Sequence, residues 1–126
     1  MPQRTSQLVN DSRFSSIQEY LLDSSSLSGL TQLDIADLKV GSVIYRIDLV
    51  ILSAFRDNSG SQHNIEISCG DNVLMASEWN DPNRVGTYTT NCYGIVNSTN
   101  NVVHIKHSPT SISAGSAILR IYSFIR

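Results

Sequence analysis

The residues able to do chemistry in this chain of 126 residues are few and scattered. His104 and His107 stand three apart, a spacing that shares a metal on a helix but sends the side chains to opposite faces of a strand. His63, Cys69 and Cys92 could form a nucleophilic Cys–His pair only if folding brought them together, since no local signature surrounds either cysteine. Glu66, Asp71, Glu78 and Asp81 crowd one stretch, yet a glycosidase pair needs two carboxyl groups held roughly 5 to 9 Å apart, and sequence alone does not place them so. Asp71 and Asp81 also stand beside Asn or Pro, where turn bonding accounts for them. No Gly-rich phosphate loop, GxSxG or HExxH occurs. The reading is therefore of a protein with no catalytic residue, no metal and no cofactor, and an enzyme ranks third among the functions considered.

A ligand-binding stretch has better ingredients. Trp79, Asn80, Asp81, Asn83 and Arg84, with Tyr88 shortly after and Tyr93 near, combine an aromatic platform with amide and charged groups that suit a glycan. The same residues also read as a core aromatic followed by an ordinary turn.

Composition narrows the choice. Hydrophobic residues make up 40% of the chain and charged residues only 16%, so Ser, Thr and Asn carry much of its polarity, which suits packing against other protein. Nine basic and eleven acidic residues nearly cancel, and no field remains to gather nucleic acid. No apolar run reaches the about eighteen residues a membrane span needs, and the opening MPQRTSQLVNDSR lacks the apolar block of a secretory signal, so assembly in a cytoplasm is expected. The sequons at Asn10 and Asn97 then read as accidents of an Asn- and Ser-rich chain. Two cysteines are too few for a disulfide framework, and free thiols are the default, with one bridge left open.

Stepping along the chain, strand signals dominate. Residues 1 to about 13 are polar and without period, and read as an arm. RFSSIQEYLLD supports either a short helix, with Ser16 and Glu19 as a capping box, or a strand. SSSLSG is a loop. TQLDIADL alternates as a half-buried strand does. VIYRIDLVILSAF is dense in β-branched residues, and HNIEISCG, VLMASEW, TYTTNCYGIV, VVHIKH and SAILRIYSFI follow between turn-rich segments. The expectation is an all-β fold, an antiparallel sandwich of jelly-roll type, with residues 1–29 as a polar arm or anchoring segment and 30–126 as the sandwich.

One repeat stands out. GSVIYRI at 41–47 and GSAILRI at 115–121 agree at five of seven positions. Each reads as a Gly-Ser turn feeding a long core strand. Strict alternation assigns Val43, Tyr45, Ile47, Leu49 and Ile51, with Ala117, Leu119, Ile121, Ser123 and Ile125, to the core. It leaves Ile44, Arg46, Asp48, Val50 and Leu52, with Ile118, Arg120, Tyr122, Phe124 and Arg126, on the reverse. That reverse is too apolar for water, since burial of each large side chain is worth about 1.5 to 3 kcal/mol. Either it is covered within the fold, or it is a subunit interface with Arg46 and Arg120 at its rim. The candidate interface residues are Ile44, Arg46, Val50, Ile118, Arg120, Tyr122 and Phe124.

LKVGSVIYRIDLVILSAF, IEISCGDNVLMAS, VGTYTT and ISAGSAILRIYSF together resemble the small β-rich virion proteins of tailed bacteriophages, in which a glycine turn leads into a long strand, a G…LM segment and a G-Y pair follow, and a second glycine turn opens the closing strand. The resemblance covers roughly residues 30 to 125. It implies a jelly-roll-like particle subunit, a head decoration (cement) protein or short fibre that assembles as a trimer on the major capsid protein or other virion proteins. Val40 departs from the small residue expected before Gly41, and the 80–86 loop is individual to this chain. The alternative function is a fibre or lectin-like module binding host glycan through the Trp79 to Tyr88 region.

Overall fold

A computed structural model of the chain describes residues 4–9, 15–35 and 38–125. Nine strands are present among them: β1 (Arg4–Val9), β2 (Ser15–Asp23), β3 (Gln32–Ile35), β4 (Ser42–Arg56), β5 (Asn64–Cys69), β6 (Asn72–Met75), β7 (Gly86–Ile95), β8 (Val103–Ser108) and β9 (Ala114–Ile125). They form a five-stranded sheet in the order β1-β2-β9-β4-β7 and a four-stranded sheet in the order β3-β8-β5-β6. Every pairing is antiparallel. From β2 onward, the chain alternates between the two sheets except at the β5–β6 hairpin, as in an eight-stranded jelly roll, and β1 extends one edge. The all-β jelly-roll sandwich is the architecture expected from the pattern of strands.

The core lies between the sheets. Leu33 and Ile35 of β3, Ile65 and Ile67 of β5, and Val103 and Ile105 of β8 face Tyr20 and Leu22 of β2, Ile47, Leu49 and Ile51 of β4, and Ala117, Leu119 and Ile121 of β9, all buried in one cluster. Period-two burial along β3, β8 and β9 follows directly from alternating sequence.

The amino-terminal third differs from the simplest expectation. Within RFSSIQEYLLD the described residues, Ser15–Asp23, are a strand rather than a capped helix, since they pair with β9 from Ser15↔Phe124 to Asp23↔Ser116. A single helical turn, α1 (Ser24–Leu27), follows, and its capping box is formed by Asp23 and Ser26. Tyr20, Leu22 and Leu27 belong to the core, so the sandwich begins before residue 30 and the 29/30 boundary falls inside it. Of the arm expected over residues 1 to about 13, the described part is β1, and the remainder lies outside the described residues.

The repeat pairs with itself. β4 and β9 are neighbours at the middle of the sheet, with Ile47 opposite Ile121, Arg46 opposite Tyr122 and Asp48 opposite Arg120. Ile47 and Ile121 are equivalent positions of the two heptads, so the pairs on either side are images of each other about a local two-fold through that contact.

Both glycines that open the copies hold backbone angles disfavoured for other residues, φ +97° at Gly41 and +130° at Gly115. Their surroundings differ. A Cβ on Gly41 would meet nothing within 4 Å, whereas one on Gly115 would fall 2.7 Å from Phe55 Cα. Gly41→Ala is therefore expected to cost about 1 to 2 kcal/mol of backbone strain, and Gly115→Ala distinctly more, because backbone must also move. Urea unfolding midpoints of the two variants test the order, and equal losses would contradict it.

Candidate functional site

The outer face of the five-stranded sheet carries the residues singled out as an interface. It is organised in rows that cross the strands. Leu21, Ile118, Val50 and Thr87 oppose one another in one row, Glu19, Arg120, Asp48 and Thr89 in the next, and Ile17, Tyr122, Arg46 and Asn91 in the third. The apolar members are half-buried or exposed, with Leu21 at 37%. The middle row is charged.

Asp48 is the hub of that face. It is 2% exposed although it points away from the core cluster. Thr89 Oγ1 donates to it at 2.7 Å, Tyr122 Oη at 2.8 Å, and Arg46 Nε and Nη2 at 3.0 and 3.2 Å. Arg46 in turn stacks its guanidinium 4.6 Å from the Tyr122 ring centre, and Arg120 Nε donates to Glu19 at 2.7 Å. Tyr45 packs on Tyr122 and Phe124 at 6.1 and 5.8 Å between ring centres. Burial pushes the Asp48 carboxyl up, but the hydrogen bonds from Thr89, Tyr122 and Arg46 outweigh it and hold the group below its ordinary 3.8. The same contact, added to burial, raises the Tyr122 phenol.

One interface residue is corrected. Ile44 is fully buried in the core rather than on the outer face. Register slips between Ile44 and Arg46 against both neighbouring strands, and the extra residue reverses the alternation at the start of β4. Ile44 therefore shares the inner side with Ser123, while Val43 pairs with the outward Phe124 and Tyr45 joins the outer aromatics. Arg46, Val50, Ile118, Arg120, Tyr122 and Phe124 share the outer face as expected.

The Trp79 region does not converge as a platform. Trp79 closes a short 3-10 turn (Ser77–Trp79) and is 53% exposed. Asn80 Nδ2 donates to the Ile65 carbonyl at 2.9 Å. Asn83 accepts from the His63 amide and donates to its carbonyl, at 3.1 and 3.0 Å, and donates from both its amide groups to Asp81. Tyr88 packs against the core cluster, and Arg84 is exposed. Most of the polar groups proposed to meet a sugar are thus engaged in tying the 80–85 loop to β5.

His104 and His107 leave β8 on opposite sides. His104 Nδ1 meets Asp34 at 2.8 Å, while His107 Nε2 donates to the Leu27 carbonyl at 2.9 Å and burial pushes its pKa below the usual imidazole value. Cys69 and Cys92 are free, and burial pushes the Cys92 thiol up to about 11. Among the described residues no group of three His, Cys, Asp or Glu side chains could hold a metal, and no helix is long and apolar enough to cross a membrane.

No protein-family model matches the sequence, and no curated protein is detectably similar to it. Solved structures do share the architecture. A chain of the "Cyanophage Pam1 capsid asymmetric unit" aligns with TM-score 0.60 and 11% identity over 89% of this chain and 85% of its own. A chain of the "Acidic stable capsid structure of Helicobacter pylori bacteriophage KHP30" aligns with TM-score 0.54 and 12% identity over 95% and 92%. This fold occurs in phage capsids. The high coverage on both sides makes the correspondence one of whole chains rather than of a domain within a larger one. A third structure, "CBM4 structure and function", overlaps at TM-score 0.31 and 11% identity over 99% and 78%, too loosely to inform the fold.

The buried hub has a measurable consequence. Because the folded pKa of Asp48 lies below its unfolded value, its contribution is complete above about pH 4 and is lost as pH falls through the folded value. Asp48→Ala is expected to cost about 2 to 4 kcal/mol at neutral pH by leaving its donors unmatched. It should also flatten the loss of stability below pH 4, and an unchanged acid limb in denaturant titrations would refute the assignment.

Proposed function

We propose that this chain is a non-enzymatic structural protein of a phage virion, a capsid decoration (cement) protein that forms a homotrimer and sits on the shell. The observation that carries the reading is the whole-chain fold match to chains of two phage capsids. Trimerisation and the decoration role come from the sequence resemblance over residues 30 to 125. The outer sheet face supplies the docking surface in this reading: an apolar row of Leu21, Ile118 and Val50, then two rows whose arginines, Arg120 in the charged row and Arg46 in the one beyond it, keep side-chain exposures of 36% and 40%. Apolar contact would supply affinity, and the half-exposed guanidinium groups would set register against acidic or carbonyl groups of the shell. Such a protein stabilises the shell by binding the assembled lattice and not its separate subunits.

Quantitative mass spectrometry of the particles should find the chain in numbers comparable to the shell subunit, and a handful of copies per particle would instead indicate a fibre. Ile118→Lys, which alters an outward side chain and not the core, should leave the unfolding midpoint nearly unchanged and remove the protein from particles. Normal incorporation of that variant would overturn the docking surface.

A second reading, a fibre or lectin-like module binding host glycan, is favoured by one feature, the exposure of Trp79. It requires binding on a glycan array that disappears in Trp79→Ala, and binding indifferent to that change would end it.

A further inference from the structure

The four free strand edges of the sandwich are not equally protected. β3 and β6, the edges of the four-stranded sheet, have four residues each. β3 carries Asp34, bonded to Gln32 and His104, and β6 is broken by a register shift against β5. Short length, charge and irregularity are the means by which sheets avoid pairing with other chains. β7 has none of them over most of its length. Its ten residues, GTYTTNCYGI, include no charged residue, no His and no Pro. From Ile51↔Gly86 to Arg46↔Asn91 it runs in unbroken register with β4, and the shift comes only beyond Asn91. Among the described residues no hydrogen bond reaches the backbone of 86–91 from the open side; the Asn72 amide caps the Tyr93 carbonyl, past the regular stretch. Thr87, Thr89 and Asn91 are exposed, and threonine is well suited to extended pairing.

We propose that the Gly86–Asn91 edge pairs with β1 of a second copy, so that copies join head to tail into one continuous sheet with five strands from each copy. This rests on the self-association put forward above and names its contact. β1 supplies six residues, of which Ser6–Val9 run in unbroken register with β2 beyond a shift at Arg4, to set against the six-residue regular part of β7. Because every neighbour in β1-β2-β9-β4-β7 is antiparallel, the two edges run in the same direction, and their union is a parallel ladder. Each addition leaves one β1 and one β7 open, so association continues until a ring closes. A two-fold pairing of β7 with its own copy, Thr89 opposite Thr89, would instead give an antiparallel dimer.

Hydrogen exchange on the full chain, compared between dilute and concentrated samples whose mass is read by light scattering, decides between these. The expected result is a trimer in which amides of both 4–9 and 86–91 slow by about tenfold or more relative to the dilute monomer. The paired substitution Thr87→Lys and Asn91→Lys should return the protein to monomer, with an unfolding midpoint equal to that of the dilute, monomeric parent. Protection of 86–91 alone with a dimeric mass would overturn the head-to-tail contact in favour of the two-fold one. An oligomer that keeps both segments fast-exchanging would overturn edge pairing and leave self-association standing through another surface. A monomer at every concentration would overturn both this contact and the trimer.

Discussion

The antiparallel contact between β4 and β9 is the constraint from which the rest of this molecule follows. These are the two longest strands, and they lie side by side at the middle of the larger sheet. Their inner side chains, Ile47, Leu49, Ile121 and Leu119, are fully buried, and each such burial is worth about 1.5 to 3 kcal/mol. Because equivalent residues of the two heptads face each other at Ile47 and Ile121, one register satisfies both copies at once. A slip by a single residue would turn the apolar set of the slipped strand out of the core.

The same register builds the outer face. Arg46 and Arg120 occupy equivalent places, so the local two-fold sets each beside the position that is Asp48 in one copy and Tyr122 in the other. The copies diverge there, and the divergence is useful: a phenol donates to an acid where two carboxylates would repel. Asp48 is neutralised by contacts within the face, and the face keeps partly exposed arginines and apolar rows without an unpaired buried charge. In the docking role proposed for it, a face whose side chains are already held by these contacts would keep the ordering cost low.

Much of this was legible in the chain. Alternation in TQLDIADL, HNIEISCG and VVHIKH identifies strands whose inner residues, Leu33, Ile35, Ile65, Ile67, Val103 and Ile105, form the core. The glycines of the repeat declare their turns. RFSSIQEYLLD was ambiguous because Ser16 and Glu19 mimic a cap, and only the vacancy beside β9 decides for a strand. Ile44 was misplaced because a bulge is a property of three strands whose lengths must be reconciled, and no residue in VIYRID announces it. Asp48 had one signal, an acid within a run of β-branched residues where acids are depleted, but its donor Thr89 lies on another strand and could not be named beforehand. Asn80, Asn83 and Tyr88 looked available for a ligand because sequence shows a side chain's chemistry and not whether the fold has already used it.

What the sequence determined by itself was the class of fold, the pairing-competent strands, the two turn glycines and the scarcity of catalytic groups, since all of these depend on local sterics and on a period of two. What only the tertiary structure decided was which strands neighbour which, where a bulge reverses the faces, that Asp48 is the buried hub, and that β7 ends the sheet with an uncharged edge. Those properties arise from the closing of one strand against another across long stretches of chain, and that closure depends on every strand at once.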